Sequence, residues 1–267
     1  MIVVTNPSTV EAESYPLTHA RIGWHRYDGS VSASSAAAGF PASAAKSMNT
    51  YEFWKPTSLA AWWKIDLGSA KVVNYCGIAV HDWIGNDVTV QYSTNNTDWT
   101  SINSASDVID SAPLLFLFPS VSARYWRVFI DGPTVGVAAH IRFGEMLSMM
   151  RPFFAGHTPI PLSRQTVIQP NVSERGQFLG RSAIRSGVQT SAEWMHLDPD
   201  WYRANFDPFV QAARTDTFFF AWRPDPDSPS KNDVAYCWTN DDIAPSNMGI
   251  RDLMQVGFSM SGVADYE

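Results

Sequence analysis

Trp62-Trp63-Lys64-Ile65-Asp66-Leu67-Gly68 decides the fold class. Apolar and polar residues alternate, so Trp63, Ile65 and Leu67 share the buried face of a strand while Lys64 and Asp66 face out. Gly68 ends the run. The pattern recurs downstream. Residues 71–80 form a long apolar run, and 87–93 alternates with Val88, Val90 and Tyr92 on one face. Residues 124–130 are rich in β-formers, and another strand follows over 139–146. A spacing of about 8–15 residues between strands predicts a sandwich or jelly roll. Residues 31–50 are rich in Ser and Ala and read as a long surface loop. No useful helical period occurs before residue 150.

The chain has 267 residues, a length that suggests two domains. Composition shifts near 149–161, where Pro152, Gly156, Pro159 and Pro161 punctuate the sequence. The expected division is therefore 1–150 and 151–267. In the second part, Asp198-Pro199 is an N-cap and first-turn pair, and Asp207-Pro208 repeats it. Two short consecutive helices are expected at 199–206 and 208–214. Strands are expected at 217–222, 234–238 and 254–261, with a Pro- and Asp-rich loop over 223–233.

Nineteen basic against 26 acidic side chains give a net charge of −7, and neither half is basic. A nucleic-acid footprint is not expected. Charged residues make up 17% of the chain and aromatics 13%, including 11 Trp, so the chain is not disordered. Some apolar surface is expected to be covered by partners. The longest clean apolar run, 114–118, is far short of the ~20 residues of a membrane helix, so membrane insertion is not expected. Residues 1–7 show no basic segment before an apolar one and do not read as a secretory signal. The two cysteines, Cys76 and Cys237, read as buried free thiols.

Five pieces in order carry a resemblance. They are Val31-Ser32-Ala33-Ser34-Ser35, the 62–68 strand, Tyr92-Ser93-Thr94-Asn95-Asn96-Thr97-Asp98-Trp99, Ala123-Arg124-Tyr125-Trp126-Arg127-Val128 and Ile141-Arg142-Phe143-Gly144-Glu145-Met146. Together they resemble the discoidin (coagulation-factor type C) family of galactose-binding-like β-sandwiches, over about 14–148. The fold class is then mainly β: an N-terminal discoidin-like sandwich (jelly roll), followed by a β-rich domain with one or two short helices near 199–214. Asn96 stands where the family usually has a turn glycine, and Asn tolerates positive φ. Arg124 and Arg127, three apart, are expected on opposite strand faces, with an Arg pairing a buried acid as in the family. Family members bind glycans, lipids or proteins through loops at one end. The resemblance implies that 40–58, 81–87 and 131–138 cluster there. It also implies the option of a structural calcium, at residues the sequence does not single out.

The loop His81-Asp82-Trp83-Ile84-Gly85-Asn86-Asp87 offers an aromatic platform and planar polar groups, the mix that sugar recognition wants. His81, Asp82, Trp83 and Asn86 are the ligand-binding candidates, with Tyr51 and Trp54 as a second wall. The competing reading has Trp83 plugging the sandwich end and Asp82 or Asp87 capping a turn. No histidine pair has metal spacing, and no nucleophile or phosphate motif occurs, so neither a metal site nor a catalytic residue is expected. Glu193, Asp198 and Asp200 offer carboxylates of the kind a glycosidase uses, but Asp198 is better explained as a helix cap and Asp200 as a first-turn acid that suits the helix dipole. The chain is not expected to be an enzyme and no cofactor is assigned. Arg175, Arg181 and Arg185, grouped around Gly176 and Gly180, are candidates for a subunit interface.

The stretches 218–224, 235–243 and 254–262 resemble tail and baseplate proteins of long-tailed bacteriophages. The leading expectation is a structural component of a phage tail tip or baseplate, located in the virion and assembled in the host cytoplasm. Its partners would be other tail subunits and further copies of itself, with host-surface glycan as a ligand of the sandwich. The alternative is a carbohydrate-binding module protein of a bacterial polysaccharide-processing system.

Overall fold

The computed structural model describes residues 1–153, 156–249 and 251–263. Residues 154 and 155, inside the expected boundary, and residues 250 and 264–267 lie outside the described residues. The first half contains β1 (Ile2–Val4), α1 (Pro7–Ala12), β2 (Arg21–Gly23), β3 (Ser30–Ala33), β4 (Ala61–His81), β5 (Asp87–Ser93), β6 (Thr100–Ala105), β7 (Leu114–Asp131), β8 (Ala138–Gly144) and β9 (Leu147–Ser148). The six-residue α1 is too short to show a period, which is why the sequence hides it.

Two strands, β4 and β7, are long enough to serve both layers of a sandwich. The 61–66 part of β4 pairs with β3 and with the 125–130 part of β7, which passes on to β5 and β6. A register break follows between Asp66 and Lys71. Beyond it, β4 pairs with the earlier part of β7 and with β8, and β1 joins β7 in parallel. Trp63, Ile65, Val90, Trp126 and Val128 face Cys76, Ile78, Phe116, Ile141 and Phe143 across the core. The Ser93–Asn96 turn behaves as expected. Asn96 sits at φ 65°, and Ser93 Oγ accepts the backbone N–H groups of Asn95 and Asn96.

Arg124 forms a bidentate pair with Asp66, at 2.7 Å from Nε and 2.9 Å from Nη2. Arg127 lies 4.1 Å over the Trp99 ring and donates to Gln91 Oε1 at 2.6 Å. The opposite-face expectation fails for these two arginines. The register break beside Arg124 turns it outward, so both reach the solvent side.

The second half adds β10 (Val167–Val172), β11 (Phe178–Arg185), β12 (Val188–Leu197), α2 (Pro199–Trp201), α3 (Asp207–Ala213), β13 (Phe218–Ala221), β14 (Val234–Thr239), β15 (Ser246–Asn247) and β16 (Met254–Val263). Its sheet has the order β12-β16-β14-β13-β2-β9, with β15 on β16. Thus β2 and β9, from the stretch expected as the first domain, are strands of the second sheet: residues 21–23 pair with 219–221 and with 147–148. The two expected helices are joined through a π-turn over Tyr202–Phe206 rather than separated. Asp198 caps as expected, accepting from the N–H groups of Asp200 and Trp201 at 2.9 Å each. Asp207 does not cap; it continues the helical path, and its side chain accepts no capping bond.

The second sheet packs on the outer side of the sandwich. Tyr75, Ala79, Leu115 and Leu117 meet Phe219, Ala221, Val234 and Tyr236. A Cβ on Gly77 would lie 2.4 Å from the Phe219 ring, so only glycine permits this approach. The middle layer is therefore buried on both faces, which is why 75–80 is buried at successive positions instead of alternating. Buried polar groups cross the same contact. Arg142 Nη1 donates to Thr217 O at 2.6 Å and Gly23 O at 3.1 Å, and its Nε donates to His140 Nε2 at 3.1 Å. On the far side of the second sheet, Trp194, Phe206, Phe209 and Phe258 close a third core under the helices.

Candidate functional site

The three loops expected to cluster do so at the end of the sandwich where β4 begins and β7 ends. Trp54 and Ala138 exchange backbone hydrogen bonds at 2.9 and 3.1 Å. Asn86 Nδ2 donates to Thr134 O at 2.7 Å, and Thr134 N donates back to Asn86 Oδ1 at 3.2 Å. Asp82 Oδ1 accepts from Val137 N, and Asp87 Oδ1 accepts from Asp107 N at 2.8 Å. These side chains fasten loops together.

The packing corrects most of the candidate binding residues. Trp54, His81, Trp83 and Asn86 are fully buried. Trp83 stacks on His81, with ring centroids 5.5 Å apart, and meets Trp54 edge-on at 6.5 Å. It plugs the sandwich and presents no face to a ligand. His81 Nε2 lies 2.9 Å from Ala112 O, and Nδ1 faces Trp83 N at 3.4 Å. Burial pulls the His81 pKa down to about 4, so the ring is neutral near pH 7. Asp82 is exposed but serves as the brace to Val137. The sequence could not separate platform from plug, because a Trp between polar residues reads the same in both. What decides is how closely neighbouring loops cover it.

Tyr51 alone of the six stands out as a free aromatic, 73% exposed, with its hydroxyl accepting from Asn49 Nδ2 at 3.2 Å. It lies at the rim of an open groove of about 810 Å³ between the sandwich end and the second half. Tyr51, Phe53, Ile109 and Asp110 form one wall; Arg164, Asn232 and Asp233 come from the other side. Asp110 Oδ1 accepts from Ala112 N at 3.1 Å, and Asp233 Oδ2 accepts from Trp222 Nε1 at 3.1 Å. Arg164 makes no ion pair among the described residues. The groove thus joins an apolar rim to a cation, two carboxylates and an amide, a set able to stack on a sugar ring and bond its hydroxyls. Sequence reasoning missed the 106–113 loop, although Asp107, Asp110 and Pro113 punctuate it. It also missed Arg164, Asn232 and Asp233, which nothing local ties to the sandwich.

Arg175, Arg181 and Arg185 lie elsewhere, on the exposed β10–β11 hairpin. Of the glycosidase-like carboxylates, Asp198 is occupied as a helix cap, and Asp200 lies 3.9 Å from Arg203 on the same turn. Calcium takes six to eight oxygen ligands. The described residues gather no group of three acidic, His or Cys side chains. Cys76 and Cys237 are free and buried, and burial pushes both thiols up.

Residues 41–128 match the family model of the coagulation-factor type C kind described as a NedA-like, galactose-binding domain. The match lies inside the sandwich, which is discoidin-like. Among solved structures, the chain is similar to the family 32 carbohydrate-binding module of AlyQ in complex with 4,5-unsaturated mannuronic acid. The two are 20% identical over 45% of this chain and 98% of that one, with a TM-score of 0.41. It is similar to chitosan-binding module 1 of a chitosanase/glucanase from Paenibacillus sp. IK-5, at 22% identity, 45% and 99% coverage and a TM-score of 0.40. A family 32 module from C. perfringens NanJ in complex with galactose matches at 17% identity, 46% and 98% coverage and a TM-score of 0.40. No curated protein sequence matches. The tail or baseplate reading gains nothing from these matches.

Proposed function

We propose that the chain is a carbohydrate-binding protein without catalytic activity, whose glycan lies in the groove at the loop end of its discoidin-like sandwich. The observation that carries this reading is the free aromatic at that groove. Tyr51, 73% exposed, is the most exposed ring among the described loop residues of a domain that matches a galactose-binding family, and it faces a set of polar groups suited to sugar hydroxyls. Tyr51 supplies a face for the apolar side of a pyranose, and Asp110, Asp233 and Asn232 accept or donate to its hydroxyls. Arg164 suits a carboxylated sugar. Assembly with other subunits is a second role for the second half, favoured by the exposed β10–β11 hairpin.

The test uses the full chain. Affinity electrophoresis against a panel of neutral and uronic-acid polysaccharides is followed by titration with oligosaccharides of whichever retards it. Tyr51→Ala is expected to weaken binding at least about tenfold, the scale for losing one stacked aromatic anchor. Ile84→Ala, at an exposed position of the loop that does not line the groove, is expected to leave binding unchanged. Retention of binding by Tyr51→Ala, or no binding by the folded chain to any glycan, overturns the proposal.

A further inference from the structure

The least explained part of the molecule is the hairpin of β10 and β11. It is a sheet of its own, paired with neither larger sheet. Nearly every residue in it is exposed. A lone two-stranded hairpin is marginal in water, so something beyond its own hydrogen bonds is needed to hold it. Val167, Ile168, Val172, Phe178, Leu179 and Ile184 are between 37% and 66% exposed.

The register sorts the two faces. Residues directly opposite in an antiparallel ladder share a face. Ile168 pairs with Ala183, Pro170 with Arg181, and Val172 with Phe178. Gln169 with Ser182 and Asn171 with Gly180 occupy the other face. Leu179 and Ile184 fall at the two register shifts. The hairpin is thus a ribbon with one largely apolar face, and its apolar side chains belong to none of the buried cores of the described residues.

Its charge says what covers it. The hairpin, residues 167–185, holds three arginines and one glutamate, a net +2, against −7 for the whole chain, so the remainder carries −9. None of the three arginines makes an ion pair among the described residues. Intramolecular attraction has therefore not been satisfied, and the complementary surface is the acidic body of another molecule. An anionic bilayer or a nucleic acid would draw the arm but repel the −9 body behind it. Two arms face to face would bring Arg181 of each into the same apolar patch, a desolvated like-charge contact.

We propose that the β10–β11 arm docks, apolar face down, on the acidic body of a second copy of this chain. The contact is head-to-tail, so repetition yields a ring or a filament rather than a two-fold dimer. It stands independently of the glycan reading. Where both hold, several sugar sites are gathered on one assembly and weak single-site affinity becomes avidity.

Sedimentation velocity of the full chain over a range of concentrations, at low and at high salt, tests this. Concentration-dependent association that salt weakens is expected. The double variant Ile168→Asp/Phe178→Asp and the single variant Arg181→Glu are each expected to weaken it roughly tenfold or more, the scale for an interface anchor. Melting temperatures should not change, because the arm supports no core. A chain that stays monomeric throughout, or one whose association ignores both variants, overturns the proposal. So does a monomer that instead co-sediments, through the arm, with phosphatidylserine–phosphatidylcholine vesicles.

Discussion

Arg142 is a cation buried without a carboxylate. It is 2% exposed, and its guanidinium is spent on the carbonyls of Gly23, Trp24 and Thr217, the Thr217 hydroxyl and His140 Nε2. These acceptors come from three separated segments, so one side chain ties the sandwich to the second sheet. Removing it leaves several buried carbonyls unpaired. Arg142→Leu is expected to lower stability by about 3 kcal/mol in urea titration, and Arg142→Lys to recover little, because a point charge cannot span a planar fork's acceptors. His81 and His140 give a second residue-scale expectation. Burial holds both neutral, with His81 near 4 and His140 well below its ordinary value. The unfolded chain protonates them near pH 6.5. Between about 4 and 6.5 for His81, and from 6.5 downward for His140, the unfolded state binds more protons, so stability falls as pH falls, by up to about 1.4 kcal/mol per pH unit for each ring. His81→Gln should flatten that slope, since its amide can still donate to Ala112 O. An unchanged slope would place the sensitivity elsewhere.

At the scale of elements, the helical segment separates two signals that look identical in sequence. Asp198-Pro199 and Asp207-Pro208 are the same dipeptide, yet only the first caps a helix. At Asp198 the chain arrives extended, with ψ 132°, and its carboxylate meets free N–H groups. At Asp207 the chain arrives already helical through the π-turn, so no free amides await it. Asp198→Ala is expected to cost about 1 kcal/mol, and Asp207→Ala within roughly 0.5 kcal/mol of nothing, by chemical denaturation. The same contrast explains which strands could be read. Those at 61–67, 87–93 and 124–130 alternate large apolar with polar residues. β12 alternates equally well in burial, but Thr190 and Ala192 on its inner face are too small or polar to announce it. β10 and β11 are broken by register shifts and carry their apolar residues to solvent. β2 is three residues long and exists because β13 and β9 pair with it, a fact no local pattern holds. In the candidate site, Tyr51 was legible as an aromatic in a loop, whereas the opposite wall was supplied by residues more than 100 positions away.

At the scale of the whole molecule, the three layers make the halves interdependent. The sequence suggests a cut near 150, but such a cut runs through the second sheet, since β2 and β9 would leave with the sandwich and lose β13. It would also bare Tyr75, Ala79, Leu115 and Leu117, the side of the middle layer that Phe219, Ala221, Val234 and Tyr236 cover. Each large apolar side chain fully exposed forfeits about 1.5–3 kcal/mol, and Arg142 would lose Thr217 besides. A fragment of residues 1–150 is therefore expected to aggregate or to bind a hydrophobic dye strongly. The full chain should unfold in a single calorimetric transition. Gly77→Val tests the same contact inside the intact chain. Its side chain must displace the Phe219 ring, and overpacking of this kind costs about 1–3 kcal/mol. Phe219→Ala should recover part of that loss when combined with it, because the clash is removed even as a cavity opens. A soluble, dye-silent 1–150 fragment melting at the temperature of the full chain would mean that the sandwich stands alone and that the third layer merely rests on it.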